Sequence, residues 1–271
     1  MAFRAGELGF GYVVLDTFPG LKLQDGRLVE ADCKRILKAF SFEKVQIAAV
    51  GGYRNLIHPD PQIRVCLQNE LIGLIQLCEA IGAPMLCSET GSYHPDGWTW
   101  DPANMTEQAF QQLIDSLEPL VREGQKRGVC LGLEPYVMNV AYNTERLARV
   151  IKHFGQQRIK AVFDPAGLLT RMTSQVQKDA LPEMLASIVD SIGLIHVEDF
   201  IPASSLNDHF EWIGAGQGLL DYVVFMNAVI QSGYEGPMIF EHLTQSDIPA
   251  AVQFVRTKWE LAQRQAMGEK K

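Results

Sequence analysis

Four positions in this sequence place a metal-binding type of side chain directly after a short apolar run. Glu134 follows VCLGL, Asp164 follows KAVF, His196 follows GLI and Glu241 follows MIF. An ionised carboxylate at the end of a buried apolar segment is costly unless it is paired or coordinated. Three of them converging on one place would repel one another, and a divalent cation is the simplest charge that offsets them. For any one of these residues alone, a salt bridge or a helix cap is an equally good account. Taken together, those readings weaken, because four segments share the feature and Lys and Arg are scarce beside them.

The segments that must carry these residues alternate with amphipathic stretches along the whole chain. Strands are expected at Tyr12–Asp16, Val45–Val50, Met85–Glu89, Val129–Glu134, Lys160–Asp164, Gly193–Glu198 and Met238–Glu241. Their short, nearly all-apolar character suits a parallel sheet covered on both faces. Helix punctuation lies between them. Asp60-Pro61 reads as an N-cap followed by a first-turn proline, with Gly82 as the stop. Thr106 opens the next helix, whose Phe110, Leu113, Ile114, Leu117, Leu120 and Val121 fall on one stripe, and Gly128 closes it. An early glycine fingerprint after a strand would mark a doubly wound open sheet, and none is present, so the α/β alternation favours a (β/α) TIM barrel. In such a barrel the strands' C-terminal ends build the functional face. Residues 1–8 read as the end of a helix leading into Tyr12–Asp16, so the barrel is expected to lack its first strand and most of its first helix. Unpaired edges would remain, to be covered by a local loop or by a second copy in a homo-oligomer.

Composition bounds the rest. The 271 residues are 47% hydrophobic and 21% charged, with a formal net charge of −8, which fits one domain spanning residues 1–271. An acidic chain without a basic block is a poor partner for nucleic acid. No apolar run approaches the roughly 20 residues that span a bilayer, and MAFRAGELGF lacks the apolar core of a secretory signal, so a cytoplasmic location is expected. The five cysteines contain no CxxC pair and read as reduced packing residues.

The segments LGLEP, AVFDP, LIHVED and GYEGPMIFEH, with the glycine-rich WIGAGQGLLDY, SETG at Ser88–Gly91 and GGYRNLIHPDPQIR at Gly51–Arg64, resemble the sugar phosphate isomerase/epimerase superfamily of xylose isomerase-like barrels. The resemblance runs from about Gly9 to the C-terminus. It implies one divalent ion ligated by Glu134, Asp164, His196 and Glu241. That donor set suits Mn²⁺, Mg²⁺ or Co²⁺, with Zn²⁺ also compatible. In family members that epimerise, the ion holds adjacent substrate oxygens and stabilises an enediolate, while the two glutamates exchange the proton on the substrate carbon. The implied activity is therefore isomerisation or epimerisation of a small sugar, ketose or polyol-derived substrate, with Glu134 and Glu241 as the acid/base pair.

The motif departs from the family at two places. Gly167 stands where epimerases commonly carry a histidine, and Glu198-Asp199-Phe200-Ile201-Pro202 follows the metal histidine where an arginine is common. Both weigh against ketose 3-epimerisation more than against the metal. By strand alternation Glu198 faces the same side as His196, although a solvated loop position accounts for it equally well. His58, His94, Trp98 and Trp212 are further candidates for substrate contact, together with Tyr93 and Trp100; for the histidines, simple loop exposure is the stronger reading. His242 is expected to point outward to the helices. Gly214, Gly216 and Gly218 lack the setting of a dinucleotide motif, but amides of that turn could hold an anion at a helix start. Three other readings compete: a dehydratase or lyase of the inosose or dehydroshikimate type, a non-catalytic metal or sugar binder, and an abasic-site nuclease, which the missing histidines and basic face disfavour.

Overall fold

In the computed structural model the described residues are 2–16, 23–24, 27–28, 30–203 and 210–268. Seven parallel strands follow one another around the sheet in chain order: β1 (Tyr12–Asp16), β2 (Gln46–Gly51), β3 (Met85–Glu89), β4 (Cys130–Glu134), β5 (Ile159–Phe163), β6 (Ile192–Val197) and β7 (Met238–Phe240). Helices α1 (Ala2–Glu7), α2 (Glu30–Phe42), α3 (Pro61–Ala80), α4 (Glu107–Arg127), α5 (Thr144–Phe154), α6 (Gln177–Ala186), α7 (Tyr222–Ser232) and α8 (Ile248–Gly268) pack outside. All seven expected strands are present, with ends within one residue of those read from the pattern. Two short hairpins are additional: Leu23–Gln24 with Arg27–Leu28, and Asp199–Pro202 with Phe210–Ile213.

Period-two alternation sorts each strand. Leu131 and Leu133 of β4, Phe163 of β5, and Ile195 and Val197 of β6 join the layer between sheet and helices, whereas Ala49, Met85, Cys87, Val162 and Leu194 fill the barrel interior. Full burial of such side chains stabilises the fold by about 1.5–3 kcal/mol each. Gly132 and Gly193 keep that interior filled yet open enough for Met85. A Cβ at either position would lie 2.8 or 3.0 Å from the Met85 sulfur. The helices start and stop where the punctuation places them. The Asp60 carboxylate accepts from the Gln62 and Ile63 amides, Thr106 accepts from the Ala109 amide, and Gly128 ends α4 in the left-handed region at φ 67°.

β1 and β7 lie beside each other without forming a ladder, so among the described residues the barrel is a seven-stranded, nearly closed sheet with a seam. The seam is covered locally: α1 lies over it, and Phe10 packs edge-on against Phe240 at 6.0 Å. A cavity of about 430 Å³ remains there, lined largely by apolar side chains of α1, β1 and β7. No described helix is long and apolar enough to cross a membrane. The cysteines are free, but they are not uniformly packing residues, since Cys66 on α3 is exposed.

Candidate metal centre

The interior parity of each strand continues to its C-terminal end, and there the side chains become acidic. Glu134 is the last inward residue of β4, Asp164 follows β5, His196 lies on β6 and Glu241 follows β7. Register sets their heights: Glu89 pairs with Glu134 across β3 and β4, and Ile239 pairs with His196 across β6 and β7. Glu134, Asp164 and His196 are 7%, 4% and 1% exposed, and each offers a donor atom within 4.8 Å of the other two. Glu241 approaches His196 of this group from the seam side. His196 Nδ1 lies 3.2 Å from Glu241 Oε2 and 3.4 Å from Glu134 Oε1.

These short separations are not hydrogen bonds. Both ring nitrogens of His196 are buried without a hydrogen-bond partner. Orphaned buried donors are rare in folded proteins, whereas donors that share an ion necessarily sit about 3.0–3.4 Å apart for bonds of about 2.1 Å. The spare oxygens of two carboxylates are held by the protein. Tyr53 donates to Glu134 Oε2 at 3.1 Å, and Asp164 Oδ1 accepts from the Ala166 amide at 2.9 Å, capping the short helix Pro165–Leu168. Such outer contacts orient a ligand while leaving its other oxygen free. Among the described residues no Lys or Arg is ion-paired with Glu134, Asp164 or Glu241. The donor set and its geometry therefore fit a divalent cation.

Electrostatics agree. Burial, together with the neighbouring Glu134, pushes the Asp164 carboxyl up to about 6. Burial pushes Glu241 up to about 7 against the opposing pull of His196. Burial disfavours the charged form of His196, but the carboxylates of Glu134 and Glu241 outweigh it and raise the imidazole to about 10. Glu89 and Glu198 are raised well above the carboxylate range, first by burial and then by the surrounding acids. So much unbalanced negative charge costs free energy that a cation would recover.

The centre opens into a cavity of about 610 Å³. Among the described residues six carboxylates line it (Asp16, Glu89, Glu134, Asp164, Glu198 and Glu241), and no Lys or Arg does. Trp98, Tyr136 and Trp212 supply an aromatic wall, with Trp212 edge-on to Tyr136 at 5.4 Å. Glu198 is 1% exposed and lines this cavity, so it is not a solvated loop residue. His58 and His94 are not brought here. Buried His58 accepts from the Asp60 amide through Nδ1, and His94 lies beside Asp96 at 3.0 Å. Trp100 also lies outside the cavity lining, and Tyr93 packs against the core.

Two readings from the sequence are corrected. His242 does not point outward: it lines the cavity, with Nε2 3.2 Å from Glu198 Oε2. β7 ends at Phe240, and His242 takes a left-handed φ of 50°, so strand alternation no longer governs it. The glycine-rich turn does bind an anion, but that anion is Asp199 of the chain itself. Its carboxylate accepts from the amides of Gly216, Gly218 and Leu220 at 3.1, 2.9 and 2.9 Å. Gly167 also gains a reason. A Cβ there would lie 2.9 Å from Asp164 Oδ2, crowding the oxygen that the cap leaves free. Asp16, Glu89, Tyr53 and His242 were missed as site residues. Asp16 and Glu89 had a signal, since each ends its strand as Glu134 does.

A seven-stranded parallel α/β barrel with an acidic, histidine-bearing centre at its strand ends defines the class. The chain belongs to the xylose isomerase-like TIM barrel family, which it matches over residues 3–260. No curated protein sequence matches it. Among solved structures it is similar to a xylose isomerase domain protein from Planctomyces limnophilus, with TM-score 0.74, 13% identity, and 97% of this chain and 93% of that one covered. It is also similar to a 3-keto-D-glucoside 4-epimerase from E. coli, with TM-score 0.70, 16% identity and coverage of 94% and 92%. A third is a xylose isomerase-like TIM barrel protein from Mycobacterium smegmatis in complex with magnesium, with TM-score 0.66, 14% identity and coverage of 96% and 86%.

Proposed function

We propose that this chain is a divalent-metal-dependent isomerase or epimerase that moves a proton on a small, uncharged sugar or polyol-derived ketose through an enediolate. The observation that carries this reading is the cluster of Glu134, Asp164 and His196, approached by Glu241 at His196, beside a cavity walled by Trp98, Tyr136 and Trp212. Those four residues would hold the ion, with Mn²⁺, Mg²⁺ or Co²⁺ preferred by the oxygen-rich set and Zn²⁺ compatible. When bound, a divalent ion supplies charge stabilisation to the oxygen beside the reacting carbon.

The chain's own residues do the rest. Glu134 and Glu241 project from β4 and from the end of β7, on opposite sides of the barrel mouth, so one carboxylate can remove the proton and the other return it. Tyr53 fixes the rotamer of Glu134. The aromatic wall offers stacking area to the apolar face of a sugar ring and keeps water from the reacting carbon. The uncharged character of the substrate rests on the lining. Among the described residues the lining holds six carboxylates and no Lys or Arg, a field that would repel a phosphate or a carboxylate even after one divalent ion is counted.

The test is deuterium exchange. Mn²⁺-loaded protein in D₂O is offered neutral ketoses and inososes beside sugar phosphates and keto acids. Solvent deuterium should enter a neutral substrate at the carbon next to its carbonyl. No exchange across the panel would sink the enzymatic reading. Exchange confined to phosphorylated or carboxylated compounds would sink its uncharged substrate, and release of water from the substrate would make the chain a dehydratase.

A further inference from the structure

Glu241 stands between two groups of donors. On one side are Glu134, Asp164 and His196; on the other, Glu198 and His242 each offer an atom within 4.8 Å of one another and of a Glu241 oxygen. We propose that Glu198, Glu241 and His242 form a second divalent-cation site, joined to the first through the Glu241 carboxylate. Glu198 and His242 belong to neither the ligand set nor the acid/base pair of the proposed reaction.

The buried member of the group carries the inference. Glu198 is 1% exposed, and its Oε2 has no hydrogen-bond partner. That oxygen lies 3.2 Å from His242 Nε2, but the two are not aligned as donor and acceptor. A buried carboxylate oxygen left without a hydrogen bond is expensive, and a neighbour this close should have satisfied it. The same spacing is what two atoms bound to one cation adopt, and it reproduces the 3.2 and 3.4 Å approaches of His196 Nδ1 in the first group. The backbone is bent to allow it. His242 is one of two residues other than glycine with positive φ among those described, and its φ of 50° turns the ring back into the cavity.

Charge balance points the same way. One divalent ion offsets two of the six carboxylates that line the cavity, and among the described residues no Lys or Arg contributes. The Glu198 carboxyl also neighbours Asp164 of the first group, so a second ion at Glu198 and Glu241 would add positive charge beside the carboxylates that the first ion leaves unbalanced. The two-oxygen, one-imidazole donor set suits Mn²⁺ or Zn²⁺ and leaves positions open to water or to substrate oxygens. Two ions bridged by one carboxylate lie about 3.5–4 Å apart, close enough for two Mn²⁺ ions to couple magnetically.

The experiment is a Mn²⁺ titration of the chelator-stripped full chain, with bound metal counted by elemental analysis and paramagnetic resonance recorded at saturation. The wild type should take up two ions per chain and show a coupled spectrum. His242→Gly suits the left-handed backbone and removes the ring; it should bind one ion and lose the coupling. Glu198→Ala, which removes the oxygen donor altogether, should do the same, and circular dichroism checks the fold of both. Saturation of the wild type at one ion would overturn the site, as would two ions retained in His242→Gly. The count is read without substrate. Two bound ions with no proton exchange would keep this site and lose the proposed reaction, whereas one bound ion with exchange would do the reverse.

Discussion

The two sides of the barrel mouth are built differently. On the β4–β6 side, strand ladders, with one register shift between Ala161 and Val162, hold Glu134, Asp164 and His196, all buried, with an oxygen of Glu134 tied to Tyr53 and one of Asp164 to the Ala166 amide. On the seam side, β7 has three residues, all half-buried, and no ladder joins it to β1. Glu241 and His242 stand there with side chains 30% and 51% exposed. The contrast separates two tasks that one ring of ligands must perform. The ladder side fixes donor positions before anything binds, and the seam side presents a carboxylate and an imidazole to whatever enters.

The largest expected effect comes from setting the two sides against each other. Asp164→Ala removes a preorganised donor, and Mn²⁺ affinity at the buried group should fall by more than about 10²-fold. Glu241→Gln keeps an oxygen donor but removes the base, so Mn²⁺ should still bind there while turnover falls by about 10² or more. Calorimetry and the deuterium assay read the two effects separately. If Asp164→Ala binds as tightly as wild type, or Glu241→Gln turns over normally, the division of tasks is wrong.

A smaller effect concerns pH. Asp164 is raised to about 6, Glu241 to about 7 and His196 to about 10. All three shifts are upward. The ion-free fold therefore has their stabilisation in full below the ordinary carboxylate range and loses it as pH rises through those values. The melting temperature of the stripped chain should fall between about pH 5 and pH 8. Mn²⁺ at about 100 times its Kd should add about 2.7 kcal/mol, or about 5–10 °C, at the upper pH. An ion-free melting temperature that stayed level or rose across this range would contradict the electrostatics of the centre.

The smallest effect belongs to the aromatic wall. Trp212 sits on the hairpin after β6 and packs against Tyr136. Trp212→Ala should raise KM by about 5–10-fold with little change in kcat, as expected when stacking contributes about 1 kcal/mol equally to ground and transition states. A fall in kcat with KM unchanged would place Trp212 nearer the chemistry than the wall.

Much of the ladder side was legible in the sequence. Strand ends of the form LGLE and AVFD announce themselves because an acid after an apolar run has few inexpensive explanations. Alternation put Glu198 on the side of His196 but left a solvated loop position equally open, and burial in the cavity decides between them. The seam side was harder to read. Alternation holds only inside a strand, and β7 stops one residue before Glu241, so His242 could not be oriented by counting. His58 and His94 misled because a loop histidine has no period to constrain it; their partners, the Asp60 amide and Asp96, are local and were decided by turn geometry. Asp16 and Glu89 were readable by the rule that found Glu134; Asp16 falls outside the motifs that carried the family resemblance, whereas Glu89 lies within SETG.

Asp199 shows what becomes of a glycine-rich turn when the chain supplies its own anion. Four amides, those of Phe200, Gly216, Gly218 and Leu220, close on one carboxylate, and a side chain at Gly218 would strike both that carboxylate and the Phe200 carbonyl. A tethered group of this kind acts at an effective concentration that no dissolved phosphate matches. The turn is thus a lock already holding its key. It clamps the strand end that bears Glu198 to the start of α7, and free anions in the surrounding solution find it closed.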